Sequence, residues 1–358
     1  MAYTQYIKHY RKENRLMKKF QKINSLQNEL TIDNKMDNPK EFTQIYPNDS
    51  LVITEKIDGE NAQVRNDHGT LLAYSHHKTL SPDNTLNGFY GFVQNHAETI
   101  KALLPEGCSL FGEWLSPHRI KYPNKAYYKW YLFDLYKFDD PDNFDDTAVG
   151  TYLGFAQVKK NWHNAPIDTD IQLVPQYSTA TVLINHSVST LADLDEIRES
   201  LSEKSLLGAE DGREEGIVVA IENRNVLLSD GSHGALRIKC VNEAFKEMKS
   251  SKIPQSAGHK AILYWENKYI TEPRILKHLL EQQAEGTLPK EISFDWMKGG
   301  QSKQLAKFVL EDALEESNET PEALQIRNPA YGKNLKVVQN FANKLTNKVV
   351  ALRVKDML

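Results

Sequence analysis

A lysine followed by Asp-Gly occurs in Glu55-Lys56-Ile57-Asp58-Gly59-Glu60-Asn61, at the end of the β-branched run Leu51-Val52-Ile53-Thr54. A lysine amine ahead of a tight turn is a candidate nucleophile toward phosphorus, able to form a phosphoramide once its pKa is drawn down. Four short motifs follow in order: Phe111-Gly112-Glu113-Trp114, Tyr131-Leu132-Phe133-Asp134-Leu135, Glu215-Gly216-Ile217-Val218-Val219 and Arg237-Ile238-Lys239-Cys240. Each sets a charged or aromatic residue beside an apolar run, and a charge in such a strand is costly to bury unpaired. One cleft in which lysines meet carboxylates and phosphates would resolve that conflict.

The parts suit a nucleotide. Lys239, Arg237 and Lys78 are cations for a triphosphate. Phe133 is an aromatic platform for adenine, and Glu113 an acceptor for ribose hydroxyls. Glu215 offers carboxylate oxygen to a divalent metal, directly or through water. The attacking amine must be neutral, and a neighbouring cation such as Lys239 or a bound metal favours that form. Each residue has a plainer reading: a turn lysine, an ion-pair partner in Glu113, core packing in Phe133, a surface acid beside Glu214, an exposed strand arginine. His76, His77, His118, His163 and His233 lack metal-ligand spacing and read as ordinary. The acidic stretch 139–146 lacks the glycine and distal glutamate of a calcium loop.

Elements that position these residues are legible. Residues 1–47 read as a basic, largely helical segment, with Lys8, Arg11, Lys12, Arg15, Lys18, Lys19 and Lys22 against Glu13. That face either binds phosphates or is solvated above an apolar stripe of Ile7, Tyr10, Met17, Phe20 and Ile23. Strands are expected over Leu51–Thr54, Ala62–Arg65, Leu71–Tyr74, Ser109–Trp114, Trp130–Tyr136, Gly216–Ile221 and Ala235–Cys240. Asn66-Asp67-His68-Gly69 reads as the turn of a hairpin. Thr190–Ser202 has an amphipathic period through Leu191, Leu194, Ile197 and Leu201. Many short strands with few helices predict an α+β domain on antiparallel sheets over 48–249. Ser250–Ser256 reads as a linker. Beyond it, 250–358 reads as a small all-helical C-terminal domain, from Leu276, Leu279 and Leu280; Leu305, Phe308, Val309 and Leu314; Val337, Val338, Phe341 and Leu345.

Composition sets bounds. The chain has 358 residues, 40% hydrophobic and 26% charged, with net charge −4. These values fit an ordinary soluble protein. No apolar run is long enough for a membrane span and no secretory signal is evident. Two cysteines, Cys108 and Cys240, cannot make a disulfide framework, so a reducing cytosol is the natural setting.

In order and content the five motifs resemble motifs I, III, IIIa, IV and V of the covalent nucleotidyltransferases, the polynucleotide ligases and mRNA capping enzymes. Glu55–Asn61, Phe111-Gly112-Glu113 and Ile238-Lys239-Cys240-Val241-Asn242 are most similar to the ATP-dependent RNA ligases of the phage nick-sealing type, over residues 50–245. The resemblance implies that Lys56 is the adenylylated nucleophile and Phe133 the adenine platform. It further implies that Glu113 contacts ribose, Glu215 stands near the lysine and an Mg²⁺ or Mn²⁺, and Lys239 serves the α-phosphate. Glu55 and Arg237 join the nucleotide-binding set. Asn61 and Lys78, with His76 as rival, would hold the RNA end. Three departures stand out. The basic residue after motif I has no certain counterpart, Val241 occupies one possible place of a second motif V lysine, and Ala220 replaces a basic residue sometimes found past motif IV.

The implied activity is joining of RNA 5′-phosphate and 3′-OH ends through lysyl-AMP and RNA-adenylate. ATP is the cofactor, the chain is a monomer, and an RNA end-healing kinase or phosphatase is a possible functional partner. A DNA ligase or capping guanylyltransferase shares the lysine chemistry but normally carries a β-barrel after motif V. An inactive RNA-binding relative is the non-enzymatic alternative, against which Lys56, Glu113, Glu215 and Lys239 all argue.

Overall fold

The computed structural model describes residues 17–21, 23–25, 45–46, 48–142, 147–179, 193–201, 205–210, 212–228, 230–242, 245, 265–266, 268–298, 300–317, 323, 326 and 332–356. The chain divides into two compact units, 1–242 and 243–358.

Among the described residues the first unit has ten strands: β1 (Asn24–Ser25), β2 (Leu51–Lys56), β3 (Glu60–Asp67), β4 (Thr70–Ser75), β5 (Cys108–Leu115), β6 (Lys129–Phe138), β7 (Gly150–Tyr152), β8 (Ile171–Leu173), β9 (Gly216–Leu227) and β10 (His233–Val241). They form one sheet in the order β2-β9-β10-β7-β6-β5-β3-β4, with β1 added to β10 and β8 to β6. The long pairings are antiparallel, as the alternating patterns require. The short contacts β1/β10, β10/β7 and β6/β8 are parallel. The β3–β4 turn has His68 at φ 48° and Gly69 at φ 84°, the two positive angles of the tight hairpin that suits strand twist. The Asn66 side chain closes it, accepting from Gly69 N at 3.0 Å.

Its described helices include α1 (Phe89–Asn95), α2 (Ala97–Leu103), α3 (Gly154–Asn164) and α4 (Asp193–Leu201). Seven-residue helices such as α1 and α2 are too short to show a period, and sequence patterning gives no sign of them. On α4, Leu194, Ile197 and Leu201 are buried, in a core with Ile53, Ile217, Val219, Ile221 and Ile238; Leu191 lies outside the described residues.

The N-terminal segment departs from expectation. Residues 17–21 are not helical, and 24–25 form a strand alongside Ile238 and Lys239. Lys18, expected on a basic solvent face, is only 2% exposed. Its amine is satisfied by Ala148 O at 2.5 Å, Ser232 Oγ at 3.0 Å and Asp230 at 2.8 Å. The remaining basic residues named for this segment lie outside the described residues, apart from exposed Lys19.

The second unit is helical: α5 (Glu272–Ala284), α6 (Phe294–Lys298), α7 (Ser302–Glu316) and α8 (Gly332–Asp356). Thr271 caps α5, accepting from Arg274 N at 3.4 Å, with Pro273 in the first turn. Leu279, Leu305, Val309, Val338 and Val350 meet in its core. Val337, one position out of phase, is exposed. Buried Arg274 is answered by Asp312 and Glu316. The linker expected at 250–256 lies outside the described residues. Among the described residues no helix is long and apolar enough to cross a membrane.

Candidate active site

Lys56 ends β2, directly opposite Gly216, the first residue of β9. Gly216 in turn lies opposite Val241 on β10. A Cβ at 216 would stand 2.1 Å from the Cys240 carbonyl oxygen, so only glycine lets β9 and β10 close here. That closure fixes Glu215, one residue upstream, beside the lysine: Lys56 Nζ donates to Glu215 Oε2 at 2.6 Å. Lys56 is 27% exposed and Glu215 4%, so the pair sits at the floor of an open surface.

Alternation sorts the neighbours. Lys56 and Thr54 point to one face of β2, and across β9 the same face carries Val218, Lys239 and Arg237. Glu55, expected in the nucleotide set, points to the other face. Its carboxylate accepts from Ser205 Oγ at 2.7 Å, Leu206 N at 2.7 Å and Leu207 N at 3.0 Å. Its side chain therefore clamps a loop and does not share the Lys56 face. Glu214 is likewise turned away and wholly buried. Tyr177 donates to it, and burial pushes it up to about 8, with Glu55 adding to the rise.

The Asp-Gly of the first motif has a separate task. Asp58 is buried and gathers four donors: Arg119 Nε at 3.0 Å, Arg119 Nη2 at 2.7 Å, His118 Nδ1 at 2.8 Å and Ile120 N at 2.9 Å. Burial opposes its charge, yet the His118 and Arg119 cations hold it well below the usual carboxylate range. Arg119 Nη2 also reaches Glu215 Oε1 at 3.1 Å. Neither His118 nor Arg119 stands out in the sequence. The available signal is a pair of basic residues just after the Gly-Glu motif, and an Asp58 that needs partners. His118, read as ordinary, is instead 2% exposed against Asp58.

Glu113 on β5 faces Asn61 across β3 and accepts from Gly59 N at 3.1 Å. A Cβ at 59 would lie 2.8 Å from the Trp114 carbonyl oxygen, which explains the glycine. Burial pushes Glu113 up to about 8; Lys56 lowers it, while Glu215 and Glu60 raise it further. The structure thus brings Lys56, Glu113 and Glu215 into one electrostatic group, with Asn61 beside them in register. Ser75, at the end of β4, pairs with Ala62 next to Asn61, so the turn bearing His76 and Lys78 leaves from the same end of the sheet.

Two other candidates have protein partners. Arg237 lies 2.7 Å from wholly buried Asp134 and over the Tyr152 ring. Sequence patterning treats it as a phosphate cation, but neutralising Asp134 is its evident structural task. Burial pushes Asp134 up and Arg237 pulls it down, leaving it at about 6. Phe133 is half-buried, packed on a cluster containing Phe111, Tyr136 and Tyr152, with Phe20 edge-on at 5.0 Å. Val241 occupies the row of Lys56 and Gly216, so that row carries no second lysine.

A family model described as RNA ligase matches residues 49–241. The chain is similar to solved structures of Naegleria gruberi RNA ligase variants. One with ATP and Mn shows 17% identity and TM-score 0.38, one with AMP and Mn 16% and 0.38, and one without ligand 18% and 0.39. In each case 64% of this chain and 57% of that chain are covered, so the match spans little more than half of those ligases. No curated protein matches the sequence. The family match takes in more than half of the chain and every one of the five motifs, and the chain belongs to the RNA ligase family.

Proposed function

We propose that the protein is an ATP-dependent RNA ligase that joins 5′-phosphate and 3′-OH ends. The observation that carries this reading is the Lys56–Glu215 contact at 2.6 Å, made by two motifs 159 residues apart in the chain, with Glu113 grouped beside them. In the first step Lys56 Nζ attacks the α-phosphorus of ATP. An N–P bond forms, the bond to the bridging β-phosphate oxygen breaks, and pyrophosphate leaves. Glu215 Oε2 is placed to hold the proton that Nζ gives up. In the second step the AMP moves to an RNA 5′-phosphate and Lys56 is regenerated. In the third, a 3′-OH attacks the activated phosphate and AMP leaves. Each step is phosphoryl transfer, so catalysis is mostly positioning and neutralisation of charge. Lys239 supplies a cation on the Lys56 face, Phe133 a surface for adenine, and Asn61 and Lys78 contacts for the RNA end.

Among the described residues no group of three or more His, Cys, Asp or Glu side chains could hold a metal. Glu215 already faces two cations, and Glu113 keeps its proton near neutral pH. This donor set fits a hydrated Mg²⁺ or Mn²⁺ held by Glu215 and by substrate phosphates, and does not fit an all-protein cage. When bound, such an ion would neutralise phosphate charge. The second unit, helical in its described residues, would serve the RNA. The phage nick-sealing type, a monomeric state, a cytoplasmic setting and cooperation with an end-healing kinase or phosphatase belong to the same proposal.

The test is incubation with α-labelled ATP or GTP and Mg²⁺, followed by denaturing electrophoresis. ATP should label the chain and GTP much less, and Lys56→Ala should abolish labelling while the protein stays folded. Wild-type labelling of Lys56→Ala would sink the assignment.

A further inference from the structure

Arg119 reaches the site from the segment that follows β5. Its Nη2 lies 3.1 Å from Glu215 Oε1, while the other oxygen of that carboxylate, Oε2, lies 2.6 Å from Lys56 Nζ. The two oxygens of one carboxylate are therefore held by two different cations. A glutamate anchored at one oxygen can still turn about its terminal torsion, which is broad and soft. A second charge-assisted bond at Oε1 fixes the carboxylate plane and keeps Oε2 aimed at the nucleophile.

The anchor is itself anchored. Arg119 gives Nε and Nη2 to Asp58 Oδ1 at 3.0 and 2.7 Å, and Asp58 Oδ2 accepts from Ile120 N at 2.9 Å. The guanidinium is 11% exposed and Asp58 2%, so it has little room to swing toward solvent. A continuous path runs from the Ile120 backbone through Asp58, Arg119 and Glu215 to Lys56. Arginine suits this path because its planar fork can hold two carboxylates at once; a lysine ammonium offers only a point charge.

We propose that Arg119 is a positioning residue for lysyl-AMP formation, acting through Glu215 and not on ATP. The proposal rests on the ligase reading above. It also gives Asp58 a role as the fixed point that holds the arginine.

The test uses the full chain as wild type, Arg119→Lys and Arg119→Gln, each checked for folding by circular dichroism. Single-turnover self-adenylylation is measured over a range of ATP concentrations with Mg²⁺. Arg119→Gln should lose about 10²-fold in the maximal rate, the loss that a misplacement of ~1 Å produces. Half-saturating ATP should move by less than about twofold, since no ATP contact is removed. Arg119→Lys should recover part of the rate. A loss seen mainly in half-saturating ATP would show a direct phosphate contact and overturn the proposal. So would equal losses in the two variants, a normal rate in Arg119→Gln, or a defect confined to RNA sealing. Failure of the wild type to label would sink the ligase reading itself, a result distinguishable from any of these.

Discussion

Glu113 offers a quantitative test of how the site is built. It is half-buried beside Glu60 and Glu215, and its carboxyl is pushed from 4.5 to about 8 by desolvation first and then by those two acids, against the pull of Lys56. Between those pH values the folded state keeps a proton that the unfolded chain has released. Stability must therefore fall as pH rises through this window. One pH unit costs at most about 1.4 kcal/mol, so the window sets a ceiling of roughly 5 kcal/mol. The adjoining Lys56 is 27% exposed, and polarisable surroundings of this kind reduce the figure to about 2 kcal/mol between pH 5 and 9. Glu113→Gln keeps the shape and removes the titration. Urea unfolding of both proteins in metal-free buffer at pH 5, 7 and 9 should show the variant gaining on wild type as pH rises. Glu214 also sits at about 8, but its slope is common to both and cancels in the difference. A difference flat to within about 0.5 kcal/mol, the range of an inert substitution, would refute the argument that Glu113 is strained. The same variant should adenylylate slowly if the carboxylate serves ATP, making this a site that trades stability for function.

Three further outcomes are expected. Lys239→Ala should leave the fold intact and slow sealing of pre-adenylylated RNA by about 10²-fold or more. Arg237→Ala should instead destabilise by about 3–5 kcal/mol, because it strands buried Asp134; melting curves beside single-turnover sealing separate the two, and an unchanged melt for Arg237→Ala would contradict the structural role. Deleting residues 243–358 should spare lysyl-AMP formation and impair transfer to the RNA 5′-phosphate; loss of self-adenylylation in a folded truncation would place part of the ATP chemistry in the second unit.

The sequence exposes elements whose signal is local. Leu51–Thr54 declares a strand through β-branching, and Asn66–Gly69 declares a hairpin through its turn chemistry. Lys56, Glu113 and Glu215 are legible because each is a charge near a glycine in or at the end of such a strand: Lys56 ends β2, Glu113 follows Gly112 within β5 and Glu215 precedes Gly216 of β9. Arg119 is not, since its meaning depends on Asp58 and Glu215, 61 and 96 residues away, and it lies in a segment without periodicity. Arg237 misleads for the same reason: it looks like a charge awaiting a ligand until β10 and β6 bring it to Asp134. Glu55 could have been placed correctly, because neighbours on a strand face opposite ways and Lys56 had already claimed one face.

That last point organises the whole site. Two acids, Glu55 and Glu214, each precede a residue assigned to chemistry, Lys56 and Glu215. Strand parity sends the first pair to the back of β2 and β9. There Glu55 ties the 205–207 backbone and Glu214 accepts from Tyr177. The second pair is sent to the front, where they meet at 2.6 Å. Burial raises the pKa of both back-face acids, and Glu55 adds to the rise at Glu214, a cost that stays off the Lys56 face. On the front, two cations, Lys56 and Arg119, share the two oxygens of Glu215. Four neighbouring residues thus carry opposite duties with no insertion between them, and a one-residue slip of β2 against β9 would put the Glu55 loop clamp where Lys56 now meets Glu215. Gly216 lets β9 close on β10 at Cys240, and that closure sets Glu215, one residue upstream, beside Lys56.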